Sequence, residues 1–392
     1  MQFAKEVGES LTYKFAQTAN EMKAQGREII SLGLGEPDFE TPQYIIDATI
    51  KAMTDGFTHY SATQGIAELR GLIANSANRE YHSTYTASDV IVTPGIKSAV
   101  FFALCAILEP GDEVILISPY YVSYPAMVKL AEPAAIIRYV DLDKDFSLDI
   151  RALSKAVNTN TKCILLNSPH NPTGMVLSRG EVEAVVKMAI DNDFYIISDE
   201  VYEKLVYNGQ EHISFGKYQE IREKLVICNG YSKSYAMTGW RLGYGIGARA
   251  VIAKMNKLQQ HINTNTCTFI QKGACSIYTH EPIHIRPYIE ELEKRVAYFN
   301  ENINQLHYVS GVMPKAGFFC FIDISKTGLD SNTFCSDLLK KTGIASTPGI
   351  AFGADWDDHV RFSFAVPIDT LKRAVQLMQE YSYEELVMEC NQ

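Results

Sequence analysis

From residue 90 to residue 230 the chain repeats one pattern, and that pattern narrows the possible folds to very few. Short apolar runs at 90–92, 113–117, 135–140, 162–166, 194–197 and 225–228 alternate with longer helical stretches, among them the apolar 99–108 and the stretches 149–157 and 179–190. Apolar runs of this length are buried strands, and stretches of about 10 to 15 residues between them are helices. Strands separated by helices cannot pair as hairpins. They form a largely parallel sheet with helices on both faces, an α/β architecture. Ligands of such sheets bind beyond the carboxyl ends of the strands. Three polar or charged residues, Asn171, Asp199 and Lys233, each follow a strand at that end, and packing alone does not account for them.

Lys233 lies in the most informative stretch. The apolar run 225–228 breaks at Asn229-Gly230, and Lys233 follows among small and hydroxyl residues. Arg241 comes eight residues later, between Gly239 and Gly243, with little side-chain bulk around it. A lysine at a strand end beside a fixed cation suits a Schiff-base amine next to a phosphate, because burial and nearby cations lower its pKa and make it nucleophilic. A lone lysine in this setting would more simply be a surface residue, so the rest of the chain has to decide.

Other motifs are weaker one by one. Gly35-Glu36-Pro37-Asp38 is a turn after the short strand 29–34, and Thr41-Pro42 reads as the cap and first turn of a helix. Tyr60 sits in a loop between Gly56 and Gly65. Thr93-Pro94-Gly95-Ile96-Lys97-Ser98 turns a strand into a helix, which offers backbone amides and a positive dipole end to a phosphate. It is not a Walker A loop. Tyr120, Tyr121 and Tyr124 cluster after a strand, where tyrosines usually pack. After residue 258 the alternation stops. The last third mixes short strands (318–322, 360–364) with helices (331–341, 370–381). The expected division is a large domain over 40–280 and a smaller α+β domain made of 1–39 and 281–392.

A length of 392 residues allows two domains with ample core, and 46% hydrophobic with 21% charged residues is ordinary for a soluble globular protein. The net charge of -10 opposes a nucleic-acid surface, which needs a basic stripe. Eight cysteines (Cys105, Cys163, Cys228, Cys267, Cys275, Cys320, Cys335 and Cys390) make no Cys-x-x-Cys pair and have no histidines at zinc spacing, so no metal site is expected. They read as reduced thiols in a cytoplasmic protein. No signal peptide and no membrane span of about 20 apolar residues is visible.

Taken together, the motifs resemble the aspartate aminotransferase family, the fold type I enzymes of classes I and II that use pyridoxal 5′-phosphate. The resemblance rests on six segments in order: Gly35-Glu36-Pro37-Asp38-Phe39, Pro119-Tyr120-Tyr121, Asn171-Pro172-Thr173-Gly174, Ser198-Asp199-Glu200-Val201-Tyr202, Ser232-Lys233 with Gly239-Trp240-Arg241, and Arg361-Phe362-Ser363. It implies a large domain with a mostly parallel sheet and a smaller α+β domain. It gives Lys233 the Schiff base with the cofactor and the proton transfer that follows. Asp199 would pair with the pyridine nitrogen, Asn171 and Tyr202 with the phenolic oxygen, and Tyr121 would stack on the ring. Arg241 would hold the phosphate with Gly95, Ile96 and Lys97, and Tyr60 would reach it from a neighbouring subunit. Some relatives carry serine or threonine three residues before the lysine, where Gly230 stands here, and Ser232 is the candidate substitute. Arg361 would grip the substrate carboxylate as a bidentate pair, Gly35 would let the backbone approach it, and Thr12, with Ser10, would line the substrate pocket.

The resemblance implies a homodimer that moves the amino group of an L-amino acid to a 2-oxo acid by a ping-pong route. A carbon–sulfur lyase or an amino-acid decarboxylase on the same fold would use nearly the same residues. A non-catalytic module of the same fold, such as a regulator's sensing domain, is opposed by the intact Lys233 and Asp199. No arginine occurs in the 263–266 loop, which would reach the partner's pocket in this arrangement, so the donor side chain is left open.

Overall fold

The computed structural model describes residues 11–381. After β1 (Ile30–Ser31), the chain builds a seven-stranded sheet from β2 (Val90–Thr93), β3 (Glu113–Ser118), β4 (Ile136–Asp141), β5 (Thr161–Asn167), β6 (Tyr195–Asp199), β7 (Leu225–Gly230) and β8 (Gly243–Gly247). The order across the sheet is β2-β8-β7-β6-β5-β3-β4. All neighbours are parallel except β8, which runs antiparallel to both β2 and β7.

Side chains leave each strand alternately to two apolar layers, as the pleat requires. Ile164 and Leu166, Ile196, and Leu225 and Ile227 enter one core with Leu69, Ile73 and Val185. Cys163 and Leu165, Ile197, and Val226 and Cys228 enter the other with Phe102, Leu104 and Met255. Because both faces are covered, β2, β3 and β7 are buried at every position. The edge strand β4 is largely exposed, and its Arg138 pairs with the buried Glu113 of β3, so the edge is blunted by charge.

One strand escaped the sequence pattern. β8 reads Gly-Tyr-Gly-Ile-Gly, a composition that opposes a strand on propensity. The neighbours explain the glycines: a Cβ on Gly247 would lie 2.8 Å from the Leu225 carbonyl oxygen, and one on Gly245 would lie 3.2 Å from Met255. Thr41 also differs from expectation. The helix begins at Gln43 with Pro42 before it and no side-chain cap. The Thr41 hydroxyl instead donates to the Ala236 carbonyl at 2.7 Å, which ties this turn to the loop after β7.

The carboxyl-terminal third forms a four-stranded antiparallel sheet, in which β9 (Ser310–Gly311), β10 (Phe319–Asp323), β12 (Thr347–Pro348) and β13 (His359–Ser363) are arranged β12-β13-β10-β9. Helices Ile285–Ile303, Ser331–Thr342 and Ile368–Glu380 cover it around Phe299, Phe318, Phe334 and Phe362. The amino-terminal segment joins this part. β1 pairs in parallel with β11 (Ile344–Ala345), Ile30 and Leu32 enter the same apolar cluster, and the Ser363 amide donates to the Leu32 carbonyl at 2.6 Å. Tyr202 and Leu205, from just beyond β6, belong to that cluster as well. Among the described residues, no helix is long and apolar enough to cross a membrane.

Candidate active site

The carboxyl ends of β5, β6 and β7 lie side by side, with Asn167 in register with Asp199 and Asp199 with Cys228. Asp199 is 6% exposed. Its Oδ2 accepts from the Tyr124 hydroxyl at 2.7 Å, and its Oδ1 from the Val201 amide at 3.3 Å. Burial pushes its carboxyl up to about 6, while the Tyr124 and Val201 donors act in the opposite direction. Beyond β5 the Asn167 side chain organises the next turn: its amide donates to the Asp199 carbonyl at 3.0 Å, and its oxygen accepts from the Asn171 backbone at 2.8 Å. Gly174 closes that turn at φ 71°, where a Cβ would lie 2.4 Å from Pro314.

Lys233 follows β7 by three residues and is half-buried. Its ammonium donates to the Gly35 carbonyl at 2.5 Å and lies 5.9 Å from the Phe318 ring centre. Burial lowers its pKa to about 8; Glu36 and Asp199 oppose the shift, and Arg361 and Arg241 add to it. Glu36 is itself held by the Thr238 hydroxyl. An amine in this range is partly neutral near physiological pH and so able to take a proton.

Arg361, in the middle of β13, is 3% exposed. It donates to Asn171 Oδ1 at 2.9 Å, to the Gly33 carbonyl at 2.8 Å and to the Thr347 hydroxyl at 3.3 Å. Its guanidinium lies between the rings of Phe319 and Phe352, with centroids at 4.3 and 5.0 Å. The Nε has no partner among the described residues. Tyr202 is buried with its ring edge-on to Phe318 and Phe319 at 5.8 and 6.0 Å. Burial raises its phenol, opposed by the Arg361 charge and by a hydrogen bond with Asn171.

A second cluster forms where β2 passes into helix Ile96–Ile107. Gly95 precedes that helix at φ 80°, and a Cβ there would lie 2.5 Å from Arg241 Nη2. A Cβ on Gly243 would lie 2.5 Å from the Ile96 amide nitrogen. The helix amino terminus, the start of β8 and the Arg241 side chain are thus pressed together, and only glycines permit it. Arg241 takes a left-handed φ of 53°, donates to the Thr238 carbonyl at 2.9 Å and keeps an exposed guanidinium. Lys97 is exposed, with its Nζ 5.4 Å from the Tyr121 ring centre. Tyr121 is half-buried, edge-on to Tyr124 at 5.4 Å. Ser232 is buried. Gly230 has a steric reason: a Cβ would sit 3.0 Å from both the Gly243 Cα and the Leu242 carbonyl oxygen.

Two expected residues stand apart. The Tyr60 ring is 86% exposed, on a loop zipped to 263–268 by Thr268 Oγ1 donating to the His59 carbonyl at 2.8 Å and by Asn265 donating to Ser61 Oγ at 3.2 Å. Thr12 falls within helix Leu11–Ala24, but its side chain and all of Ser10 lie outside the described residues. The sequence reading overlooked Tyr124, taken only as one of several packing tyrosines. It also overlooked Asn167, Gly33, Thr347, Phe319 and Phe352, which carry no motif of their own.

The family model for aminotransferases of class I and II matches residues 27–377. The aspartate aminotransferase of Bacillus subtilis is 36% identical over 380 residues, 95% of this chain and 96% of that one. The aspartate/prephenate aminotransferase of Thermus thermophilus is 35% identical over 94% of each chain. Among solved structures, Thermus thermophilus aspartate aminotransferase with maleate aligns with a TM-score of 0.92 and 34% identity, over 96% of this chain and 98% of that one. An aromatic aminotransferase from Pyrococcus horikoshii aligns with a TM-score of 0.87 and 34% identity, over 90% and 95%. The frame is that of the fold type I aminotransferases, and the chain is an aminotransferase of the class I and II family.

Proposed function

We propose that this enzyme, with pyridoxal 5′-phosphate as cofactor, moves the amino group of an L-amino acid to a 2-oxo acid in two half-reactions, as a homodimer in the cytoplasm. One arrangement carries the reading: the Lys233 amine, drawn down to about 8, shares its surroundings with the buried Asp199 carboxylate and the buried Arg361 guanidinium. The two ends of the site fit a phosphorylated pyridine. Amides at a helix amino terminus with Arg241 suit a phosphate, and a buried carboxylate whose Oδ1 has one long contact among the described residues suits a ring nitrogen. The unpaired Nε of the buried Arg361 is equally in keeping with a carboxylate ligand.

When bound, the cofactor supplies an aldehyde that takes up the amino group and a ring that withdraws electrons from the substrate Cα. Lys233 would hold that aldehyde at rest and, once released, would move a proton between the substrate Cα and the former aldehyde carbon within each half-reaction. Asp199 holds the ring nitrogen protonated. Asn171 and Tyr202 donate toward the phenolic oxygen, and Tyr121 covers one ring face. Gly95, Ile96, Lys97, Ser232 and Arg241 hold the phosphate. Arg361, with Asn171 and the Gly35 backbone, would fix the α-carboxylate, and Thr12 is the residue this reading assigns to the substrate pocket. In this reading 40–280 is the cofactor-binding domain, and 1–39 with 281–392 is the smaller one; the shared cluster of Ile30, Leu32 and Phe299 supports that division.

Aspartate is the first donor to test, because relatives named for it match over nearly the whole chain. Protein with cofactor, given one amino acid and no acceptor, should release the matching 2-oxo acid in a single turnover. Release of carbon dioxide, or of pyruvate with ammonia, would instead identify a decarboxylase or a lyase. The dimer has its own test. Tyr60→Ala and Lys233→Ala chains, each weak alone, should regain activity on mixing, since the heterodimer holds one intact site. No recovery after subunit exchange would place Tyr60 outside the partner's site. Seven free cysteines among the described residues are in keeping with a reducing compartment.

A further inference from the structure

We propose that Tyr124 is a positioning residue for Asp199, fixing one carboxylate oxygen so that the other points at the cofactor nitrogen. The inference rests on the reading of Asp199 given above. Tyr124 is the first residue of helix Tyr124–Ala131; it comes 75 residues before Asp199 in the chain, and is 3% exposed. Its hydroxyl reaches Oδ2 at 2.7 Å, whereas Oδ1 receives, among the described residues, only the Val201 amide at 3.3 Å. Oδ2 is thus committed, and Oδ1 keeps a lone pair for a further donor. The ring is held edge-on to Tyr121 at 5.4 Å, so the residue that orients Asp199 also braces the aromatic ring of the same site.

The bond has a second effect. A hydroxyl donating to a carboxylate favours the ionised form. Burial favours the neutral acid, and Asp199 stands at about 6 as the result. The other groups bearing on it are Glu200, which favours protonation, and Lys233, which opposes it; Tyr202 and Cys228 also lie close enough for its charge to raise them. Without the hydroxyl, Asp199 takes up its proton at a higher pH and offers less negative charge to a ring nitrogen.

The test is Tyr124→Phe, which keeps the ring and removes one oxygen, made in the wild-type and Asp199→Ala backgrounds. Cofactor dissociation constants are measured by fluorescence titration between pH 5 and 8. In the wild-type background the constant should rise about tenfold or more at neutral pH, the scale of one hydrogen bond to a charged group. The pH below which affinity falls should move upward, a change that loss of packing would not produce. In the Asp199→Ala background the second substitution should cost almost nothing, since Tyr124 acts through the missing carboxylate. An equal loss in both backgrounds, or an unmoved pH dependence, overturns the positioning role and leaves Asp199 as it was. An Asp199→Ala constant equal to that of the wild type overturns the reading of Asp199, and the positioning role with it.

Discussion

Arg361→Lys tests the carboxylate site most directly. The substitution keeps one positive charge but loses the planar fork and its place between Phe319 and Phe352 at 4.3 and 5.0 Å. Arg361 spends one nitrogen on Asn171 Oδ1 and the other on the Gly33 carbonyl and Thr347. A lysine ammonium in the same space cannot serve all three acceptors and also hold a carboxylate through two parallel bonds. Losing one charge-assisted hydrogen bond to the substrate costs about 1.5 to 3 kcal/mol. That corresponds to a fall of about 10- to 150-fold in kcat/KM. The informative assay compares an amino acid with the amine that lacks its α-carboxylate. In the wild type the amino acid should be strongly preferred, and in the variant that preference should shrink by the same 10- to 150-fold factor, with the amine little affected. Urea unfolding of both proteins separates this from a loss of fold. An unchanged ratio of the two substrates would refute the assignment of Arg361 to the carboxylate, whatever the absolute rates.

Gly230→Ser would add a hydroxyl at the end of β7, yet its Cβ would meet backbone of Gly243 and Leu242 at 3.0 Å. Backbone cannot rotate away as a side chain can, so the variant should lose about 1 to 3 kcal/mol, read as a lower urea midpoint; an unchanged midpoint would show that β7 and β8 can part. Lys233 should make the cofactor-free protein more stable in alkali. Its folded pKa of about 8 lies below the ordinary 10.5, so the cost of burying its charge is fully present below pH 8. That cost is relieved as pH rises toward 10.5, because the unfolded chain then holds more protons than the folded one. Lys233→Met should remove that rise from urea midpoints measured at pH 7 and 10, and an identical rise in both proteins would assign it to other groups.

How much of this was legible in the chain depends on distance along it. Strand and helix periodicity is a local property, and so are the turns that follow β5, β6 and β7. The α/β class and the positions of Asn171, Asp199 and Lys233 therefore came from residues read a few at a time. β8 was invisible for the opposite reason: its three glycines are demanded by Leu225, Met255 and the helix start at Ile96, none of which lies within the strand itself. Thr41 looked like a cap because caps are local, but its hydroxyl was taken by Ala236, 195 residues away. The partners of Arg361 at Asn171 and Gly33 are 190 and 328 residues distant, and Tyr124 meets Asp199 across 75. The chain by itself determined which chemical groups stand at the ends of its strands. Only the tertiary structure decided which of them share hydrogen bonds and which lose water, because burial and long-range pairing depend on neighbours that no local pattern encodes.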